Sequence, residues 1–228
     1  MRSETRISMN IWLIRHGLTL PGEEGRYQGF LDDGLSEKGK LRLREAPQKP
    51  SHVYTSPAKR ARETASILFP FAEQVCIPDL WEMNFGVFEG RTYREMENDA
   101  RYREWVDGMC LGRCPGGESR ASFSERVCNA FLDILIKEKE RQQNNAPEND
   151  LFIVSHGGTQ MAILERWGRP ARDYYSWQSP CGSGWLLTLQ ENKSANASDG
   201  KIQRAGLICP ELRVIQTVSF VREDSFDH

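Results

Sequence analysis

Ile11-Trp12-Leu13-Ile14-Arg15-His16-Gly17 near one end of the chain and Leu151-Phe152-Ile153-Val154-Ser155-His156-Gly157-Gly158 near the other follow one plan. Each is a short apolar run that gives way to a polar residue, a histidine and a glycine. Apolar runs without alternation predict strands buried on both faces, as in a parallel sheet. Val53 to Thr55 and Gln74 to Ile77 read as further short strands. Helices are expected between them. One is capped by Ser36 and ends near Ala46, ahead of Pro47 and Pro50, and another runs over 58–68 and stops before Pro70. A capping box of Ser122 with Glu125 starts a third, with Phe123, Val127, Phe131, Ile134 and Leu135 at helical spacing to about Glu140. A fourth covers 159–167. Leu18 to Gly34, rich in glycine, reads as loop, and 144–150 as a polar turn.

Strands alternating with helices predict an α/β fold. The expectation is a three-layer αβα domain spanning 1–228 with a mostly parallel central sheet. A small helical cap insertion, rich in Glu, Arg, Gly and Trp, covers about 81–118. Late strands at about 184–221 flank a polar loop at 191–201. In such sheets ligands bind beyond the carboxyl ends of the strands. His16 and His156 both follow strands, so two distant segments are expected to meet at one edge.

Composition narrows the function classes. Of 228 residues, 39% are hydrophobic and 27% charged, with a formal net charge of −2. That is an ordinary globular balance, with no charge excess to attract nucleic acid. No apolar stretch has the length of a membrane span. The first residues, MRSETRISMN, contain no apolar export segment, so a cytoplasmic location is expected. The six cysteines, Cys76, Cys110, Cys114, Cys128, Cys181 and Cys209, include no Cys-x-x-Cys, and no histidine lies near the Cys110/Cys114 pair. Neither a zinc site nor a disulfide framework is expected. The Asn-x-Ser triplets at Asn192 and Asn196 carry no weight without a secretory route.

A lone histidine is usually a satisfied core or surface residue. Two of only four in the same local setting ask for another reason. Arg15 precedes the first, and Arg26 follows in the glycine-rich loop. Arg60 sits at a strand-to-helix transition, where helix N-termini favour anions and a guanidinium fork grips phosphate oxygens. Arg62 reads as a solvated helix residue. Two other motifs fail. Gly34 to Lys40 spells G-x4-G-K, but Leu41 stands where a metal-binding hydroxyl belongs and no strand enters it. Ser155-His156-Gly157 resembles a hydrolase elbow, but Ile153 replaces its first glycine.

Seven segments in order, IWLIRHGLT (11–19), GRYQG (25–29), LSEKG (35–39), VYTSPAKRARETA (53–65), LWEMNFGVFEG (80–90), PGGES (115–119) and FIVSHGGT (152–159), resemble the histidine phosphatase superfamily, also called phosphoglycerate mutase-like. The resemblance implies helices on both faces of the sheet and a phosphohistidine intermediate. It implies His16 as nucleophile and Arg15, Arg60 and His156 as phosphoryl-binding groups. It makes Glu82 the proton donor and Arg26, with Gly157 beside His156, a further substrate contact. It implies no metal and no cofactor. The partner is a small phosphomonoester; nucleic acid and membrane are not implied, and a homo-oligomer stays open.

The chemistry needs such groups. An imidazole nitrogen attacks phosphorus only without a proton, so its other nitrogen must donate to an acceptor such as a backbone carbonyl. Arg15, Arg60 and a charged His156 would balance the phosphoryl charge. A carboxylic acid, Glu82, would protonate the leaving alkoxide if burial raised its pKa.

The pattern of EMNFGVFEG with PGGES is nearest to broad-specificity phosphatases and α-ribazole phosphatases. Cofactor-dependent mutases usually have Gly-Asn after the second histidine, where this chain has Gly157-Gly158, and Tyr where it has Phe85. Their carboxylate-binding arginine pair is not visible between 91 and 118. Many phosphatase members have Asn where Gly22 stands. Tyr93, Tyr102, Trp105 and Phe88 would either pack the cap or receive an aromatic leaving group. The expected activity is a metal-independent phosphomonoesterase, with α-ribazole 5′-phosphate the leading named substrate. A phosphoglycerate mutase and a non-catalytic phospho-ligand binder are the alternatives.

Overall fold

The computed structural model describes residues 9–143, 150–191 and 210–222. Its seven strands form one sheet: β1 (Met9–Arg15), β2 (His52–Thr55), β3 (Glu73–Cys76), β4 (Asp150–Ser155), β5 (Gly168–Arg169), β6 (Ser183–Glu191) and β7 (Pro210–Ser219). Their order is β3-β2-β4-β1-β6-β7-β5. The β3/β2, β2/β4, β4/β1 and β7/β5 pairs are parallel, and β1/β6 and β6/β7 are antiparallel. This is the mostly parallel α/β sheet that the apolar runs predict. β1 and β4 lie at its centre, where strands are covered on both faces.

The helices are α1 (Leu20–Glu23), α2 (Glu37–Arg42), α3 (Lys59–Leu68), α4 (Ala100–Asp107), α5 (Arg120–Gln143) and α6 (Gly157–Trp167). Among the described residues two apolar clusters make up the core. The larger takes Ile11, Leu13 and Ile153 with Phe123, Phe131 and Trp167, while the smaller takes Trp12, Ile14, Phe152 and Val154 with Ala61 and Leu68. Alternate side chains of β1 and β4 thus enter opposite clusters, as the pleat requires. A fully buried Phe131 contributes about 1.5–3 kcal/mol.

Four local expectations change. Leu20–Glu23 is a short helix, because Thr19 accepts from the Gly22 amide and Pro21 suits a first turn. α2 stops at Arg42, since Leu43 turns into extended backbone, is buried and bridges Val221. α5 begins at Arg120, and its box is Ser119 with Ser122: each hydroxyl lies at hydrogen-bond distance of the other's amide, 3.2 and 3.1 Å. β5 is two residues long, too short to leave a pattern. The segment between β3 and α5 holds two 3₁₀ turns, Pro78–Leu80 and Gly86–Phe88, and α4. Most of the expected 191–201 loop, the 144–149 turn, Asn192, Asn196 and Cys209 lie outside the described residues. The five described cysteines are free thiols. No described helix is long and apolar enough to cross a membrane.

Candidate active site

Strand register assembles the site. β1 and β4 align with Ile14 beside Val154 and Arg15 beside Ser155. The next residue of each, His16 and His156, therefore leaves the sheet side by side, with ring centroids 5.2 Å apart and planes at 66°. β2 lies on the other side of β4 and delivers Ser56, whose Oγ is 2.7 Å from His156 Nε2.

His16 is buried, and its Nδ1 lies 2.7 Å from the Gly17 carbonyl oxygen. A carbonyl only accepts, so Nδ1 carries the proton and Nε2 keeps its lone pair. Gly17 is itself fixed, its amide donating to Thr64 Oγ1 at 2.9 Å while that hydroxyl donates to the Arg60 carbonyl at 2.6 Å. Burial, then the charges of Arg60 and Arg15, hold the His16 pKa well below the usual imidazole range. Burial and Arg60 do the same to His156. That direction runs against the charge on His156 expected from the sequence. A bound phosphoryl dianion opposes that depression.

Arg60 stands in the first turn of α3 and is fully buried. Its Nη1 donates to Leu31 O at 2.6 Å and its Nη2 to Gly29 O at 2.8 Å, so part of the fork holds the 28–31 loop. Arg15 Nη1 donates to Ser179 O at 2.6 Å. Arg15 Nε, Arg60 Nε and His156 Nδ1 are buried without a partner. The two guanidinium N–H groups are buried donors, costly unless something accepts from them, and an anion is the natural acceptor.

Glu82 is buried, with Oε1 accepting from the Met83 amide and Oε2 from the Gly158 amide, both at 2.9 Å. Burial raises its pKa above the ordinary carboxyl value, against the opposing pull of those two amides and the nearby arginines. Gly158 lets the carboxyl come this close: a Cβ there would stand 2.2 Å from Glu82 Oε1 and would push it aside.

Arg15, His16, Glu82, Gly157, Gly158 and Arg26 line one cavity of about 440 Å³. Arg60 and His156 are buried and not part of that lining. Arg26 reaches the cavity with its guanidinium already held by Glu24 at 2.5 Å and Glu95 at 2.9 Å. Gly22 also lines it, within the turn capped by Thr19. Tyr93 lies at the cavity and is exposed, whereas Phe88, Tyr102 and Trp105 are buried together, so cap packing is their main role.

Several positioning residues escape sequence reading. Arg126 donates to the carbonyls of Asp79 (2.9 Å), Trp81 (3.0 Å) and Glu82 (3.3 Å), and pairs with Glu118 at 2.8 Å. Glu118 in turn accepts from the Asn84 amide. The Glu82 segment is therefore clamped at both ends. Glu89 accepts from the amides of Gly29, Phe30 and Phe85, gripping by its amides the loop that Arg60 grips by its carbonyls. Gln160 and Ser179 link to each other and carry Arg15. PGGES marks Glu118; no local pattern marks Arg126, Gln160 or Ser179.

Comparison with known proteins adds independent findings. The family model of the histidine phosphatase superfamily (branch 1) matches residues 11–196. A protein named probable phosphoglycerate mutase GpmB from Erwinia tasmaniensis is 34% identical over 159 residues, covering 65% of this chain and 70% of its own. The crystal structure of a phosphoglycerate mutase from Thermus thermophilus superposes with a TM-score of 0.60 at 26% identity, covering 92% of this chain and 99% of that one. An alpha-ribazole phosphatase from Shigella flexneri superposes at 0.64 with 24% identity, covering 95% and 100%, a likeness of fold alone.

Proposed function

The chain belongs to the histidine phosphatase superfamily (branch 1), and from that premise we propose that it hydrolyses small phosphomonoesters without a metal, through a phosphohistidine on His16. The observation that carries the reading is the fixed tautomer of His16: Nδ1–H on Gly17 O, Nε2 free, in a cavity that also holds the Glu82 carboxyl. In the first step Nε2 attacks phosphorus, the phosphorus–oxygen ester bond breaks, and the alkoxide takes the proton of Glu82. The ionised Glu82 then takes a proton from water, the water oxygen attacks phosphorus, and the phosphorus–nitrogen bond breaks. Phosphate leaves, and Nε2 regains its lone pair. Arg15, Arg60 and His156 oppose the charge on the transferring group. Burial raises the Glu82 pKa and lowers that of His16, directions that favour a protonated acid beside a nucleophile with its lone pair free.

The substrate is a small metabolite, with α-ribazole 5′-phosphate the leading named candidate, on the strength of the EMNFGVFEG and PGGES segments. Neither nucleic acid nor membrane takes part. The free thiols favour a reducing, cytoplasmic setting. A phosphoglycerate mutase is the second reading, favoured by the curated name of the Erwinia relative. The test is phosphate release from 4-nitrophenyl phosphate, α-ribazole 5′-phosphate and 3-phosphoglycerate in EDTA, with His16→Ala alongside. Turnover in EDTA that disappears in the variant is expected. Transfer between the phosphoglycerate hydroxyls without phosphate release would favour the mutase instead.

A further inference from the structure

The corner between β2 and α3 carries Arg60 in its first helical turn and, ahead of it, Ser56, which takes no part in the steps above. Ser56 follows the last residue of β2, and its amide donates to Val154 O at 3.1 Å. The strand register that sets His156 therefore sets Ser56 as well, and Pro57 disfavours helical backbone there. The Ser56 side chain is fully buried, with Oγ 2.7 Å from His156 Nε2 and accepting from the Ala58 amide at 3.3 Å.

The Ala58 amide decides which way the Ser56–His156 bond runs. An amide only donates, so it takes a lone pair of the Ser56 oxygen and leaves the hydroxyl proton to be placed. Among the described residues the acceptor in reach of that proton is His156 Nε2. If Nε2 accepts, the ring proton sits on Nδ1, and Nδ1–H is the one group of the pair left without a partner. If Nε2 donates, the Ser56 proton and the Nδ1 lone pair are both left over in a buried place. The first arrangement leaves fewer buried polar groups unmet and is the one favoured.

The unmet Nδ1–H has neighbours in the same condition. Arg15 Nε and Arg60 Nε are buried without partners too. The Arg15 guanidinium packs against Gly157, where a Cβ would stand 3.3 Å from its Cζ, and the His16 ring lies 5.2 Å from that of His156. N–H groups gathered beside the nucleophile suit the oxygens of a phosphoryl group, whereas a lone pair on Nδ1 would repel them.

We propose that Ser56 is a positioning residue that fixes the tautomer of His156: its hydroxyl donates to Nε2, and the proton kept on Nδ1 is offered to an oxygen of the phosphoryl group at His16. The inference rests on the phosphatase reading and adds to it a residue that acts through His156. Both histidines then hold their proton on Nδ1 for opposite ends, His16 to bare Nε2 for attack and His156 to grip the group attacked.

Long-range proton–nitrogen NMR on the full chain with isotope-labelled histidine reads the tautomer, with His156→Gln assigning the resonances. In the free wild type at neutral pH, His156 is expected as a neutral ring protonated on Nδ1. Ser56→Ala removes a single oxygen atom; its His156 is expected to shift toward the Nε2–H form. The Kd of Ser56→Ala for inorganic phosphate, read by calorimetry, is expected to rise about tenfold or more, the loss of one charge-assisted hydrogen bond. A site that had merely loosened would lose phosphate affinity without moving the proton. A wild-type ring protonated on Nε2 or on both nitrogens overturns the inference, as does a Ser56→Ala protein with an unaltered tautomer or unaltered phosphate affinity. The wild-type spectrum decides even where the variant fails to fold. Neither readout needs turnover, so a wild type that shows the Nδ1–H ring and binds phosphate but releases none from 4-nitrophenyl phosphate overturns the phosphatase reading alone.

Discussion

Substituting Gly158→Ala is expected to disable the proton donor without touching the nucleophile. The added Cβ would stand 2.2 Å from Glu82 Oε1 and 2.9 Å from its carboxyl carbon. To reach an ordinary contact distance of 3.4 Å the oxygen must retreat by about 1.2 Å (3.4 less 2.2). The retreat also stretches the 2.9 Å bond from the Gly158 amide that aims the carboxyl. A displacement of about 1 Å at a reacting group costs on the order of 10²-fold in rate, or about 2.7 kcal/mol of barrier. The loss must depend on the leaving group. Glycerol phosphate releases a strongly basic alkoxide and needs the acid, so its kcat is expected to fall about 10²-fold. 4-Nitrophenyl phosphate releases a stable anion and is expected to fall far less. Steady-state kinetics on both esters, with circular dichroism to confirm folding, gives the comparison. Unchanged rates on both would refute the steric reasoning. An equal loss on both would refute the assignment of Glu82 as proton donor.

The pH profile of kcat/KM should follow the two buried groups. His16, pushed below the ordinary imidazole range, stays a competent nucleophile down to pH well under 6.5, and Glu82, pushed above 4.5, stays protonated into the mildly acidic range. The optimum is therefore expected on the acid side of neutrality. Glu82→Gln should flatten the alkaline limb, with any ionisation of the substrate itself common to both enzymes. Arg126→Met removes the clamp on the 79–82 carbonyls and strands Glu118. A stability loss of about 1–3 kcal/mol by urea melting and a lower kcat are expected, and an unchanged kcat would show that the clamp does not position Glu82. Thr64→Val leaves the buried Gly17 amide unpaired. It should cost about 1–3 kcal/mol and slow phosphorylation of His16; a wild-type rate would separate Gly17 from the aim of the ring.

The centre of the fold is readable in the sequence because β1 and β4 are buried on both faces. Nothing but unbroken apolar runs suits that setting, and Ile11 to Ile14 and Leu151 to Val154 provide them. Their parallel register then places the two following histidines side by side, which sequence order alone can only suggest. What sequence hides is the work of long side chains across space. Arg126 reaches the Glu82 carbonyl from a helix 44 residues further along the chain. Glu89 and Arg60 grip one loop from opposite chemical sides, by amides and carbonyls, and no periodicity records that. The cap at Ser119 reads from sequence as one at Ser122, because both offer hydroxyls within one turn. The aromatic residues divide differently from their sequence reading. Phe88 and Tyr102 satisfy each other in the cap, while Tyr174 and Tyr175, in a short turn without a motif, line a second cavity beside Glu82.

The most direct measurement is the covalent state of His16 during turnover. Wild-type protein mixed with excess 4-nitrophenyl phosphate, quenched within milliseconds in alkali and digested for mass spectrometry, should carry one phosphoryl group on His16, labile to acid and absent from His16→Ala. Hydrolysis that proceeds in His16→Ala at the wild-type rate, with no phosphoryl group on His16 at any quench time, would contradict the account.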